Sequence, residues 1–266
     1  MQRPGWVPEG VDVTVPNAAR VYDAALGGSH NFQVDREFVD QAEQMWPGVS
    51  VLAHVNRSYL GRAVRWLAGA GVRQFLDIGS GIPTLGNVHE VAQAGASDAR
   101  VMYVDIDPVA VAHSQELLAG NPLAGVIEGD LRDPQAILSH PRVTGLLDFA
   151  QPVAVLLIAV LHFLPDADDP AGIVASLRDG LVSGSYLALS HGTRPAGMQQ
   201  RQDDVLKLYD RTPTSVHLRG PDQIRQILAG WSLVPPGIVP VTDWYPDPDE
   251  EEESPRPEIL AAVAHT

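Results

Sequence analysis

The stretch Phe75-Leu76-Asp77-Ile78-Gly79-Ser80-Gly81-Ile82-Pro83-Thr84 decides the fold of this chain. An apolar run that ends in an acid and two glycines is typical of a strand that turns sharply into a helix. Glycine adopts backbone angles closed to other residues, and without a Cβ it lets a ligand lie close to the main chain. The turn around Gly79 and Gly81 is therefore a predicted nucleotide site.

Two classes of cofactor use such a turn. A dinucleotide fingerprint requires a third glycine where this chain has Thr84, and it has no use for an acid two residues before the first glycine. This weakens the interpretation as a nicotinamide-dependent oxidoreductase. The order Asp77-x-Gly79-x-Gly81 resembles the first motif of class I S-adenosylmethionine-dependent methyltransferases, which implies that Asp77 faces the ammonium group of the methionine moiety. An ordinary strand-to-helix turn without a ligand is the alternative.

Composition and charge narrow the class of protein further. The 266 residues suffice for one large α/β domain with an N-terminal extension, and the absence of cysteine excludes disulfides, thiolate metal sites and cysteine nucleophiles. A net charge of −15 disfavours nucleic acid as a partner. The strongest apolar run, Val153 to Leu161, is too short to span a bilayer, and no signal segment opens the sequence. We therefore predict a cytoplasmic protein without a membrane partner.

The chain divides into two parts by its hydrophobic pattern. Residues 1–71 are predicted to form an all-helical cap, with helices over 16–26, 34–45 and 51–70. From residue 72 onward, apolar runs alternate with helical segments, which predicts an α/β domain with βαβ units and a mostly parallel sheet. The seven predicted strands cover residues 74–78, 100–104, 125–128, 153–159, 185–190, 231–234 and 259–264. An acidic run, Asp247 to Glu253, is interpreted as a solvated loop.

Acidic residues stand at the ends of three successive predicted strands, at Asp77, Asp105 and Asp130. Open α/β sheets bind ligands at the carboxyl ends of their strands, and a carboxylate at Asp105 can accept both hydroxyls of a ribose. Capping of the helix that begins at Pro108 is the alternative interpretation for Asp105 and Asp107. Three carboxylates repel a pyrophosphate and the chain contains no P-loop motif, so the pattern favours a cationic sulfonium nucleoside.

Five segments extend the resemblance over most of the chain. They are Pro16 to Asp23, Gly27 to Phe32, Phe75 to Thr84, Tyr103 to Pro108 and Ala159 to Asp166. Together they resemble an actinobacterial family of S-adenosylmethionine-dependent methyltransferases of unknown substrate, formerly a domain of unknown function. The resemblance implies a Rossmann-like, doubly wound class I methyltransferase domain over residues 72–266, forming one compact unit with the cap. It implies S-adenosyl-L-methionine as cofactor and S-adenosyl-L-homocysteine as product.

The resemblance also implies the cofactor contacts. Asp130 is expected to accept a hydrogen bond from the adenine amino group, and the next backbone N–H, at Leu131, to face the ring. The predicted cofactor-binding residues are Asp77, Gly79, Ser80, Gly81, Asp105, Ile106, Asp130, Leu131 and Ala159, with Arg20 and Asn31 from the cap. The glycine pair Gly27-Gly28 is expected to let this part of the cap fold over the cofactor as a lid.

Three residues are candidates for handling the methyl acceptor. His162 and His191 follow predicted strands four and five, where imidazoles can take a proton near neutral pH, and Tyr22 lies in the first helix. The alternative is that His162 packs against the cofactor and His191 caps a turn. Neither histidine belongs to a spaced metal-ligand set such as H-E-x-x-H, so we predict no metal.

These observations favour one function over two others. The leading hypothesis is a methyltransferase that acts on a small molecule by in-line transfer, a reaction in which the protein mainly aligns the nucleophile and excludes water. The alternative is a non-catalytic S-adenosylmethionine-binding regulator or sensor. A nicotinamide-dependent oxidoreductase is the third hypothesis.

Overall fold

The computed structural model of the protein describes residues 7–8, 11–83, 86–194, 199–209, 212, 214–248 and 259–266, with the main chain alone at 199–202. Thr84, on which the argument against a dinucleotide depends, lies outside the described residues. The same is true of Leu85 and of residues 249–253 of the acidic loop.

The described residues form ten α-helices and eight strands. The helices are α1 (Ala18–Ala25), α2 (Gln33–Met45), α3 (Val51–Gly69), α4 (Val88–Gly95), α5 (Pro108–Leu117), α6 (Pro134–Ser139), α7 (Pro141–Leu146), α8 (Pro170–Asp179), α9 (Gln199–Tyr209) and α10 (Pro221–Ile227). The strands are β1 (Gln74–Ile78), β2 (Arg100–Asp105), β3 (Ala124–Glu128), β4 (Ala154–Ile158), β5 (Tyr186–Gly192), β6 (Ser232–Leu233), β7 (Val239–Pro240) and β8 (Ile259–His265). None of these helices is both long and apolar enough to cross a membrane.

The strands form one sheet in the order β3-β2-β1-β4-β5-β8-β6, with β7 paired to β8. Strands β1 to β5 are parallel, and β8 runs antiparallel to β5 from the pair Tyr186–His265 to the pair Gly192–Ile259. The prediction of a doubly wound, mostly parallel sheet is confirmed, and each of the seven predicted strands is present. The order reverses between β1 and β4, and such a reversal opens a crevice at the carboxyl ends of the strands.

Alternate residues of each strand point to opposite faces and build two cores. In β1, Leu76 and Ile78 belong to a core that is closed by α6, α7, α8 and α10. Phe75 belongs to a second core, on the other face, that is closed by α3, α4 and α5. Burying a side chain such as Leu76 stabilises the fold by about 1.5–3 kcal/mol.

Helix α3 packs into the second core through one face and borders the ligand site with another. Its residues Tyr59, Ala63 and Leu67 are fully buried against the sheet, and the Tyr59 hydroxyl donates a hydrogen bond to the carbonyl of Ala262 at 3.1 Å. Helices α1 and α2 pack instead with α9, in a small core that includes Val21, Phe38 and Val205. We refer to α1, α2 and α9 as the cover helices.

Candidate active site

A cavity of about 650 Å³ lies between the cover helices and the carboxyl ends of the parallel strands. Residues that follow each of the strands β1 to β5 contribute to its walls, together with residues of α1, α2, α3 and α9. Most of the predicted site residues line it, namely Tyr22, Asp77, Gly79, Ser80, Gly81, Asp105, Ile106, Asp130, Leu131, Ala159 and His162. The cavity therefore brings the motifs of the sequence together at one edge of the sheet.

The glycine turn after β1 has the backbone geometry that only glycine adopts freely. Gly79 has a φ of 72° and Gly81 a φ of 65°. A Cβ at Gly79 would lie 2.4 Å from Cγ2 of Val160, whereas a Cβ at Gly81 would meet nothing within 4 Å among the described residues. Gly79 is thus required by packing as well as by its backbone, and Gly81 keeps the space above the turn open.

Asp77 is a buried carboxyl group at the end of β1. Burial raises its pKa, the guanidinium of Arg57 offsets part of the rise and Asp105 adds to it, and the resulting pKa is about 7. Arg57, on α3, lines the same cavity. A buried acid with a raised pKa gains most from a neighbouring cation, so the position of Asp77 fits an ammonium group.

Asp105 is held rigidly at the end of β2. One carboxylate oxygen accepts the N–H of Gly81 at 2.6 Å and the other accepts the N–H of Asp107 at 2.8 Å, while burial raises the pKa of the group to about 6. Each oxygen keeps a lone pair for a ligand hydroxyl. Asp107, by contrast, caps α5 by accepting the N–H of Val109 at 2.8 Å, as the alternative interpretation of that residue proposed.

The third acid, Asp130, is bound by Arg132 beside the cavity. Arg132 Nε donates to Oδ1 of Asp130 at 2.9 Å, and this side-chain hydrogen bonding lowers the pKa of Asp130.

Two further side chains of the cavity have no complete set of contacts within the part of the chain that the structure describes. Ile106 lines the cavity and is 54% exposed, which is unusual for a large apolar side chain. Ser80 Oγ is buried without a hydrogen-bond partner among the described residues. An apolar side chain and an unsatisfied hydroxyl are both suited to a ligand.

Tyr22 and Ala159 lie at the two ends of one hydrogen-bond chain. The Tyr22 hydroxyl donates to the carbonyl of Ala53 at 3.1 Å and accepts from Asn56 Nδ2 at 2.9 Å. Asn56 Oδ1 accepts from Ser190 Oγ at 2.5 Å, and Ser190 Oγ accepts the N–H of Ala159 at 2.9 Å. Because the Tyr22 proton is committed to a carbonyl and burial raises the pKa of Tyr22, its place is that of a positioning residue.

His162 lines the cavity but is not basic near neutral pH. Burial first, and then His191 and Arg219, lower its pKa to about 3, so the prediction that this imidazole takes a proton near neutral pH is wrong. Its Nδ1 accepts the N–H of Gly192 at 3.4 Å, a bond that places the proton of the neutral ring on Nε2. His162 can therefore offer a hydrogen-bond donor rather than a base.

His191 is buried and is not among the described residues that line the cavity, so its role in handling the acceptor stays a prediction without support from its position. Its Nε2 accepts from Nη1 of Arg219 at 3.2 Å, its Nδ1 donates to the carbonyl of Gly192 at 2.7 Å, and burial lowers its pKa to about 4. Arg219 also donates to the carbonyls of Leu161 at 3.0 Å and Leu164 at 2.7 Å. His191 therefore helps to fix the loop after β4.

Arg20 and Asn31 are likewise not among the described lining residues, and their contacts with the cofactor stay predictions. The Arg20 side chain pairs with Asp35 at 3.2 Å and donates to the carbonyl of Val15 at 2.6 Å. Asn31 Nδ2 donates to Asp23 Oδ2 at 2.8 Å. These polar groups of the N-terminal motif hold the connection between α1 and α2 together.

Arg57 and Asn56 are site residues that the sequence analysis did not identify. The sequence does contain a signal for Asn56, which is a polar residue within the apolar stripe of α3. It lies three residues after Ala53 and four before Leu60, on the buried face of the helix. Among the described residues, no group of three or more His, Cys, Asp or Glu side chains is arranged to hold a metal ion.

The fold and the site define the class of protein. A sheet in this order, with an acid and a glycine turn after its first strand, is the class I fold of S-adenosylmethionine-dependent methyltransferases. The model of the family described as S-adenosyl methyltransferase matches residues 4–266. The chain belongs to this family, whose cofactor is S-adenosyl-L-methionine.

Two solved structures are similar over nearly the whole chain. One is a candidate methyltransferase from Thermobifida fusca YX, with 39% identity, 99% of each chain covered and a TM-score of 0.91. The other is a DUF574 family protein from Streptomyces avermitilis MA-4680, with 40% identity, 96% of this chain and 99% of that chain covered, and a TM-score of 0.91. No curated protein matches the chain. The resemblance to an actinobacterial family is thus confirmed.

Proposed function

We propose that this protein transfers a methyl group from S-adenosyl-L-methionine to a small molecule by in-line displacement. The observation that carries the proposal is the placement of Asp77, Asp105 and Asp130 in strand order around one cavity, beside an open glycine turn. An acidic rim of this kind favours a cationic nucleoside over a phosphate-bearing one.

The cofactor contacts follow from the position of each group. Asp77 binds the ammonium group, and both oxygens of Asp105 accept the ribose hydroxyls. Asp130 accepts from the adenine amino group, the N–H of Leu131 faces the ring, and the exposed side chain of Ile106 packs on the ring face. Ser80 and Ala159 complete the wall near the methionine moiety.

Arg57 binds the carboxylate of the cofactor in this proposal. Asp77 and Arg57 carry opposite charges and line the same cavity, which matches the zwitterionic head of an amino acid. Charge-assisted bonds between a guanidinium and a carboxylate are among the strong hydrogen bonds of proteins.

Methyl transfer from a sulfonium requires little acid–base catalysis by the protein. When bound, S-adenosyl-L-methionine supplies a methyl group on a positively charged sulfur, which keeps the C–S electron pair and leaves as neutral S-adenosyl-L-homocysteine. The protein holds the acceptor in line with that bond and excludes water. His162, neutral at physiological pH, is placed to donate a hydrogen bond to the acceptor, and the methylated acceptor, which takes over the positive charge, releases any proton on its reacting atom to solvent as the product leaves.

Calorimetry with S-adenosyl-L-methionine and S-adenosyl-L-homocysteine tests the cofactor site. We expect both to bind, and we expect Asp105→Asn to weaken binding by about tenfold or more, because hydrogen bonds to a charged group contribute about 1.5–3 kcal/mol. Asp98→Asn is the matched control, since the Asp98 side chain is 75% exposed. Failure of the wild type to bind either compound would refute the proposal.

Turnover separates the enzyme from a regulator that only binds the cofactor. The protein is incubated with methyl-labelled cofactor and a panel of small acceptors, and formation of S-adenosyl-L-homocysteine is measured. Binding without turnover on any acceptor would favour the regulator.

A further inference from the structure

The cavity is charged at one end and uncharged at the other. The charged residues among its described lining are Arg57, Asp77, Asp105, Asp107, Asp130 and Arg132. Apart from Arg57 on α3, all of them lie near the carboxyl ends of β1, β2 or β3 or in the turns that follow. The described lining residues on the cover helices and after β4 and β5 are apolar or carry neutral polar groups. The cofactor contacts proposed above use the charged end.

We call the uncharged end the acceptor chamber and define it by Phe38, Trp46, Phe163, Val205, Leu206 and Tyr209. The rings of Phe38 and Tyr209 meet edge to face with centroids 4.9 Å apart, and those of Phe163 and Tyr209 lie 6.2 Å apart. Aromatic side chains bury a large apolar surface and pack edge to face or offset against other rings, so a chamber lined by them is suited to an aromatic ligand.

The ionisable groups of this region are neutral at physiological pH. Burial raises the pKa of Tyr209 to about 12, and burial with two neighbouring groups lowers the pKa of His162 to about 3. An ionic acceptor would lose its hydration without meeting a counter-ion on the described walls, which is costly. A neutral acceptor avoids that cost.

We infer that the methyl acceptor is an uncharged, largely apolar molecule that carries an aromatic ring and binds in the acceptor chamber. That the bound molecule is a methyl acceptor rests on the proposed function. The preference of the chamber for neutral aromatic molecules does not depend on it.

The test uses isothermal titration of the full chain at pH 7 with two probes, neutral 2-naphthol and anionic 2-naphthoate. We expect 2-naphthol to bind at least about tenfold more tightly, which corresponds to about 1.4 kcal/mol. Equal or tighter binding of 2-naphthoate, or no binding of 2-naphthol, would overturn the inference.

Two variants locate the bound probe. Leu206→Lys places a cation in the chamber and should shift the preference toward 2-naphthoate, and Phe38→Ala should weaken 2-naphthol binding. Leu117→Ala, at an apolar residue that is 46% exposed on α5, is the control and should change nothing. Retained affinity for S-adenosyl-L-methionine shows that each variant is folded. If 2-naphthol binds Leu206→Lys and Phe38→Ala as it binds the wild type, the chamber is not its site.

The two proposals fail separately. If S-adenosyl-L-methionine does not bind but 2-naphthol shows the expected pattern, the proposed function is wrong and the chamber's preference stands; circular dichroism then replaces cofactor affinity as the check of folding. If the cofactor binds and the probes behave otherwise, only the inference about the acceptor is wrong.

Discussion

Burial of Asp77 disfavours the ionised form of its carboxyl group and raises its pKa. Its raised pKa means that the native protein binds a proton that the unfolded chain has already lost over the range from about pH 4 to pH 7. The free energy of unfolding contributed by this group therefore falls as the pH rises through that range. Asp105, with a pKa raised to about 6, acts in the same direction.

The first prediction compares wild type with Asp77→Asn, which keeps the shape of the side chain but cannot ionise. We expect the thermal midpoint of the wild type to fall more steeply than that of the variant between pH 5 and pH 8. Calorimetric scans without cofactor measure this difference, in which the contributions of other titrating groups cancel. Parallel curves would contradict the raised pKa of Asp77.

The second prediction concerns Arg57. Arg57→Met should weaken binding of S-adenosyl-L-methionine by about tenfold or more, since a hydrogen bond to a charged group contributes about 1.5–3 kcal/mol. It should leave binding of decarboxylated S-adenosylmethionine unchanged, because that compound lacks the carboxylate. Arg65→Met, on the same helix but 51% exposed, is the control. An equal loss for both compounds would assign Arg57 another role.

Single residues show which roles a sequence can reveal. Asp77, Asp105 and Asp130 were predictable because the ends of parallel strands meet at one edge, so their position alone brings them together. The role of His191 was not, because its Nε2 accepts from Arg219, 28 residues further along the chain. Residue type gives the chemistry of a side chain, and only the fold gives its partner.

At the scale of the element, the turn between β1 and α4 combines a positive φ with close packing. Gly79→Ala should be destabilised by about 1–2 kcal/mol from the left-handed backbone, with a further loss from the contact with Val160. Chemical denaturation measures the loss. The double variant with Val160→Ala should recover the packing part only.

The control for this third prediction is Gly120→Ala. Gly120 has a φ of 93°, but its Cβ would meet nothing within 4 Å among the described residues, so the variant carries the backbone cost alone. If Gly79→Ala and Gly120→Ala lose the same stability, the contact with Val160 is irrelevant.

The loop after β4 depends on one buried guanidinium, and the fourth prediction tests it. Arg219→Met removes the donor of the Leu164 carbonyl and one of the two donors of the Leu161 carbonyl, so we expect a loss of stability of about 1–3 kcal/mol from the Leu164 group. Arg225→Met, at a residue 61% exposed on α10, should change stability by no more than about 0.5 kcal/mol. Equal denaturation midpoints for the two variants would contradict the role of Arg219.

Most helices and strands were predictable from the hydrophobic pattern of the sequence, with two kinds of exception. Strand β4 is a continuous apolar run and β1 an apolar run interrupted by Asp77, and the bounds of both strands were predicted within one residue at either end. Strand β7, two residues that end in a proline, carries no such pattern. The prediction placed helix α3 in the cap. An apolar stripe shows that one face of a helix is buried, but it does not show which element buries that face.

For the whole molecule, the net charge of −15 yields the fifth prediction. The protein should not retard duplex DNA or transfer RNA in a mobility assay at about 0.1 M salt, because phosphates and an acidic surface repel each other within about a Debye length. It should also transfer no label to either polymer. A retarded band, or labelled nucleic acid, would contradict a small-molecule acceptor.

The charged and the uncharged end of the cavity are built from different parts of the chain, so they can change independently in evolution and in engineered variants. The charged residues of the lining come from α3 and from the strands β1 to β3 with the turns that follow them, and those of the acceptor chamber from α2, α9, Trp46 after α2 and the loop after β4. If the acceptor binds in this chamber as we propose, substitutions of Phe38, Leu206 or Tyr209 are expected to change the acceptor more than they change cofactor binding. Exchange of the cover helices between relatives is a route to new acceptors on an unchanged cofactor platform.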